Sequence, residues 1–224
     1  GQRGAEILAG FRAEKLASPE TKALARWSGR MVSRLLLSID RGKIPANYVI
    51  GRSVCMHHAM QTAVPAQQAE TTIVELACGL SPRGFQLAQA LPNSQIIEIY
   101  LPEVVSQKQD RLRKARSVTI PDNLSWRGAD LGVESLAQVL DHSLVDVIGA
   151  EGLLTYFDRD VVAQIVRGIY ASIKPGGAFV CDLPIRGGDS EIKQVSSMLS
   201  KQAGRYKFWV KDEDDARSVL LEAG

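Results

Sequence analysis

The chain has 224 residues, a formal net charge of +2 and 45% hydrophobic residues, enough to bury the core of one domain with a smaller accessory lobe. That composition excludes disorder as the default, and no apolar run approaches the roughly 18 residues of a membrane-spanning helix. The first residues, Gly1 to Phe11, lack the charged-then-apolar order of a secretion signal, so a cytoplasmic protein without a membrane partner is expected.

Residues 18–38 read as one amphipathic helix, opened by Ser18 with Pro19 at its first position. Leu24, Trp27, Met31 and Leu35 form a stripe on it that needs something to cover. A break at Gly42 to Pro45 precedes a further mixed segment, Tyr48 to Ala63, and the polar stretch from Pro65 to Glu70 reads as a connector. The expected division is therefore an N-terminal helical lobe, residues 1–65, and a core, residues 66–224. The lobe carries 10 lysines and arginines against 4 acids, the core 17 against 21. Arg26, Arg30 and Arg34 recur at helical spacing, which reads as a solvated helix face; the aromatic interleaving of a nucleic-acid surface is missing.

From Thr71 the pattern changes to strand-length apolar runs alternating with helical stretches. Strands are expected at Thr72–Ala77, Gln95–Tyr100, Leu124–Trp126, Leu144–Gly149 and Ala178–Leu183. Helices are expected at Gly84–Leu91, Pro102–Ala115 and Glu134–Leu140, and from an N-cap at Asp158 to the stop at Lys174-Pro175-Gly176-Gly177. The rhythm predicts an α/β fold, a Rossmann-like parallel sheet of order 3-2-1-4-5 with helices on both faces. Cys55, Cys78 and Cys181 are odd in number and show no CxxC spacing, so neither a disulfide framework nor a metal site is suggested and they read as small core residues.

The segment Val74-Glu75-Leu76-Ala77-Cys78-Gly79-Leu80-Ser81-Pro82-Arg83-Gly84 is a buried strand that ends in small residues and turns into a helix. Ligands of open α/β sheets bind beyond the carboxyl ends of the strands, where small residues let the backbone come close. A dinucleotide fold wants G-x-G-x-x-G, whereas Glu75, Ala77, Gly79 and Ser81 alternate as E-x-small-x-G-x-small. That pattern suits a nucleotide-like cofactor without phosphate.

Glu75 to Gly84 resembles the first motif of class I methyltransferases. Ile97-Glu98-Ile99-Tyr100-Leu101-Pro102-Glu103-Val104-Val105 is similar to the second-strand motif of the leucine carboxyl methyltransferase group, which includes bacterial small-molecule O-methyltransferases. Ala150-Glu151-Gly152-Leu153-Leu154-Thr155-Tyr156-Phe157 and Lys174-Pro175-Gly176-Gly177 are similar to that group's fourth-strand signature and the turn before its fifth strand. The resemblance implies S-adenosylmethionine as cofactor. It also implies that Arg52 pairs with the cofactor carboxylate, that Asp130 with Leu131 meets the adenine, and that Glu151 holds the methionine amino group or the substrate. Two departures stand out. Tyr100 occupies the place of an aspartate that accepts both ribose hydroxyls, leaving Glu98 as the nearest acid. The chain also stops at Leu220 to Gly224, short of the family's closing antiparallel pair, and lacks an initiator Met, so a piece of a longer protein is expected.

The expected activity is methyl transfer to a hydroxyl or carboxylate of a small molecule. A carboxylate needs no base; a phenol or enol would, and His57 or His58 is the local imidazole, at most one of which can face the crevice. The alternatives are a non-catalytic methyltransferase-like binding module and, using the basic lobe, an RNA methyltransferase.

Overall fold

The computed structural model describes residues 2–65, 70–186 and 206–222. Four helices come first: α1 (Gln2–Lys15), α2 (Pro19–Leu24), α3 (Trp27–Leu37) and α4 (Asp40–Thr62). There follow β1 (Thr71–Leu76), α5 (Arg83–Ala90), β2 (Ser94–Tyr100), α6 (Pro102–Lys114), β3 (Leu124–Gly128), α7 (Leu136–Val139), β4 (Val145–Ala150), α8 (Arg159–Tyr170), β5 (Ile173–Cys181) and α9 (Glu213–Leu221). The five strands pair in parallel in the order β3-β2-β1-β4-β5, the order expected from the alternation of elements. Beyond β5 the described residues pair in one isolated parallel bridge, Ile185 with Val210. No helix among the described residues is long and apolar enough to cross a membrane.

The sheet is covered on both faces, which is why its central strands carry apolar residues on both sides, with the buried acids Glu75, Glu98 and Asp146 among them. Every residue of β4 is buried. Val74, Leu76, Ile99 and Ile148 pack with Leu140 and Ile169 on one side. Ile73, Ile96 and Val147 pack with Met60, Phe85, Leu87 and Ala88 on the other, as the period of two requires. Two glycines set how closely helices approach. A Cβ on Gly149 would lie 2.3 Å from Met60 Sδ, so α4 seats on β4 at this point. A Cβ on Gly84 would lie 2.3 Å from Glu98 Oε1, so the first turn of α5 sits directly on that carboxylate.

Several expectations about elements need correction. The single helix over 18–38 is two, because Ala25 and Arg26 take extended backbone angles and turn the chain between α2 and α3. Its stripe is divided accordingly: Leu24 is buried, whereas Trp27 is 77% and Leu35 69% exposed. The expected break at Gly42 to Pro45 is absent; α4 runs through it, with Pro45 in its second turn. One lost backbone hydrogen bond is tolerated there within a 23-residue helix. Lys174 to Gly177 lie inside β5 as an irregularity, the register jumping from Val145–Ile173 to Val147–Ala178, with Gly176 at φ +81°. Cys55 is exposed, unlike buried Cys78 and half-buried Cys181. Most of the expected connector, residues 66–69, lies outside the described residues.

Candidate active site at the carboxyl ends of the strands

At the end of β1 the chain enters a loop in which Ala77 (φ +53°) and Gly79 (φ +50°) both adopt left-handed backbone. Left-handed angles strain any residue with a side chain, so they persist where surrounding structure enforces them. The Ala77 N–H donates to Ile99 O at 2.9 Å, and the Ser81 N–H turns back to Cys78 O at 2.9 Å. This loop floors a cavity of about 140 Å³ whose other walls include Arg12, Arg52, Tyr100, Glu151, Gly152 and Tyr156, with Ala5 and Leu8 of α1 above it.

Three guanidinium groups and three carboxylates meet here. Glu151, just past β4, accepts from Arg52 Nε at 3.0 Å and Arg12 Nη2 at 3.3 Å, and pairs with Arg83. Arg83, only 1% exposed, also donates to Glu75 Oε1 at 3.1 Å and Ser53 Oγ at 3.4 Å. Arg52 reaches Asp182 Oδ2 at 3.3 Å, and Asp182 Oδ1 accepts the Gly152 N–H at 2.5 Å. Gly152, at φ +64°, lets Arg52 lie against the backbone: a Cβ there would be 3.4 Å from its terminal nitrogens. Buried charges persist only when paired and hydrogen-bonded. Three atoms on this cluster nevertheless have no partner, Glu75 Oε2, Arg12 Nε and Arg83 Nε.

The electrostatics follow from burial. Desolvation raises the Glu75 carboxyl above its ordinary range against the opposing pull of Arg83. Burial, with Arg83 and Arg52 close by, lowers Arg12 to about 9, which still leaves it protonated at neutral pH. Burial also raises the phenols of Tyr100 and Tyr156.

Of the residues read from the sequence, Arg52, Glu75, Ala77, Gly79, Ser81, Tyr100 and Glu151 line the one cavity. Glu98 does not. It is fully buried deeper along β2, held by Lys108 Nζ at 2.6 Å and Trp126 Nε1 at 2.5 Å. Exposed Asp130 accepts the Gly132 N–H at 2.9 Å, closing its own turn. Leu131 lines a separate, apolar cavity of about 360 Å³ between α7 and α8, with Leu153, Phe157 and Ile165. His57 and His58 lie on α4 away from the cavity lining; His58 is exposed and the half-buried His57 has Nδ1 without a partner.

Four residues of the site were not singled out by sequence: Arg12, Arg83, Tyr156 and Asp182. Asp182 was accessible to topology, since it follows the end of β5. Arg12 was not, because α1 buries alanines (Ala9, Ala13) and shows no apolar stripe that would announce a helix.

A search of curated proteins returns no match. Among solved structures, an O-methyltransferase family 2 protein from Planctomyces limnophilus, complexed with apigenin, superposes with a TM-score of 0.59 at 17% identity, covering 91% of this chain and 61% of that one. Human N-acetylserotonin methyltransferase in complex with SAM gives 0.58 at 15% identity, covering 84% and 52%. LepI complexed with SAM gives 0.55 at 13%, covering 74% and 40%. This chain thus spans from two to three fifths of the length of these structures, and at such identities the likeness is one of fold. The family model described as leucine carboxyl methyltransferase matches residues 4–170, from α1 with its Arg12 to the end of α8; the chain belongs to the leucine carboxyl methyltransferase family.

Proposed function

We propose that the chain is an S-adenosylmethionine-dependent O-methyltransferase acting on a hydroxyl or carboxylate of a small molecule. The observation that carries this reading is the pairing of two arginines, Arg12 and Arg52, with two acids, Glu75 and Glu151, around a cavity floored by left-handed backbone. An α-amino acid offers a carboxylate and an ammonium group. Arg12 Nε and Glu75 Oε2, buried and without partners, are of the right chemistry for one each. The methionine end of the cofactor therefore fits. In this reading Arg52 exchanges its bond to Asp182 for the carboxylate and Glu151 takes the ammonium group, with Arg12 Nε and Glu75 Oε2 supporting them. The cavity of about 140 Å³ is below the roughly 300 Å³ of an ordinary ligand pocket, so α1 must give way at Ala5 and Leu8 for the adenosine.

When bound, the cofactor supplies an electrophilic methyl group. The protein's part is to dry and align the acceptor oxygen, for which in-line displacement needs an approach of about 3–3.5 Å. Tyr156 and Tyr100, half-buried at the cavity wall, exclude water there. No imidazole lines the cavity among the described residues, which supports an acceptor that is already anionic, such as a carboxylate. Calorimetric titration with S-adenosylmethionine and its decarboxylated analogue tests the reading. Arg52→Ala should weaken the former by roughly 10- to 100-fold, the worth of a charge-assisted pair, and the latter far less. Equal losses would remove Arg52 from the cofactor site.

A second reading, a binding module that does not transfer methyl, is favoured by Tyr100 in place of an acid. Saturable cofactor binding with no labelled methyl passing to any hydroxyl or carboxyl acceptor would favour it.

A further inference from the structure

Helix α3 is inside out. Its inward face is made of small residues: Gly29 and Ser33 are buried against α1, where Ser33 Oγ donates to Ile7 O at 3.1 Å and a Cβ on Gly10 would lie 2.5 Å from Gly29 O. Four of its six large apolar residues point the other way, Leu36 and Leu37 being half-buried. Trp27, Met31 and Leu35, one turn apart, are 77%, 44% and 69% exposed, with Val32 beside them at 42% and Ile39 beyond at 50%. The exposed apolar area is on the order of 500 Å², near the upper end of what monomeric proteins display.

We propose that this face of α3 is the interface of a two-fold homodimer. Trp27, Met31 and Leu35 form a row with a spacing of four, and two such identical ridges interdigitate at a crossing angle of about −50°. Pairing two copies removes about 1,000 Å² of apolar surface, the size at which a specific contact becomes stable. Charge permits the approach. The arginine row along one edge of the stripe is answered within each copy, Arg30 and Arg34 by Glu14 at 2.9 and 2.8 Å and Arg26 by Glu6 at 3.7 Å. Hydrogen bonds from Arg34 and Arg30 hold Glu14 below the usual carboxylate range, so this neutralisation persists into mild acid. A helix that binds a bilayer keeps its basic face free for anionic lipid; here that face is engaged with acids of α1.

Sedimentation velocity across micromolar concentrations tests the proposal. The expected result is a reversible dimer whose dissociation constant rises on the order of 100-fold in Trp27→Ser and in Leu35→Glu, since each change acts twice at the centre of the interface. Far-UV circular dichroism of both variants should match the parent. Should Leu35→Glu fail to fold, Met31→Cys in a Cys55→Ser background should form an intermolecular disulfide on mild oxidation. A parent protein that stays monomeric overturns the proposal, as does a dimer indifferent to both substitutions or a Met31→Cys protein that does not cross-link. So does a monomer that binds phosphatidylserine-containing vesicles with a blue shift in its tryptophan emission. None of these readings depends on methyl transfer.

Discussion

At the scale of single residues, β1 and β2 show how two acids of similar sequence environment come to different ends. Glu75 and Glu98 are register partners on adjacent strands, so both point to the same face and each needs a cation. Glu75 has Arg83, and keeps one buried oxygen without a partner. Glu98 has Lys108, whose ammonium burial would push down but which Cys78, Glu98 and Glu75 hold above its ordinary value. Glu98→Ala would strand that ammonium and is expected to cost about 3–5 kcal/mol, seen as a lower urea midpoint. Tyr100→Asp, by contrast, places a carboxylate at the cavity wall. It should tighten S-adenosylmethionine, because a carboxylate accepts from both ribose hydroxyls and a phenol offers one weaker partner; calorimetry on the folded variant checks this. His57 supplies a pH test. Burial, Arg83 and His58 all lower its pKa, so the unfolded chain, near 6.5, takes up the proton first. Stability is then fully present above about pH 6.5 and declines as the pH falls toward the lowered native value. Thermal melts of the parent and His57→Gln should diverge from about pH 7 to pH 5.5, the parent losing more.

At the scale of elements, α4 is the rule by which the site is measured out. Met60 is fixed against Gly149 on β4, and Arg52 stands eight residues earlier on the same helix, roughly 12 Å along its axis. Met60→Ala should therefore do two things: destabilise by about 2–5 kcal/mol as a core truncation, and weaken cofactor binding by letting Arg52 drift from Glu151. Measuring both on the fraction still folded separates them, and unchanged affinity would show that Arg52 is held by its ion pairs alone. The strands were legible because a doubly covered sheet writes itself as apolar runs, and the β1 loop because small residues punctuate it. Less legible was whatever depends on contacts distant in sequence. The turn at Ala25–Arg26 carries neither glycine nor proline, and Pro45 argued for a break that α4 overrides. The stripe from Trp27 to Leu35 reads as a buried face by periodicity, although α1 meets the opposite one at Gly29 and Ser33. Glu98 could be named as an acid near the site, but Lys108, which claims it, lies on another element.

At the scale of the whole molecule, α1 and α2 are bound to the sheet layer by polar clasps. Arg111 of α6 holds Glu6 of α1 and the Leu24 carbonyl, and Gln86 of α5 donates to Glu20 at 2.8 Å. The cavity lies under α1, with Arg12 in its wall paired to Glu151. The charges of the ion cluster beside it come from positions 12, 52, 75, 83, 151 and 182, and the contacts Arg12–Glu151, Arg52–Asp182 and Arg52–Glu151 span 139, 130 and 99 residues. Such long loops close late, after the entropy of ordering nearly the whole chain has been met. The ion cluster is thus a terminal event of folding. A refolding chain can acquire its helices and most of its sheet while still unable to recognise a ligand, and competence, followed by stopped-flow binding during refolding, should lag behind the recovery of circular dichroism.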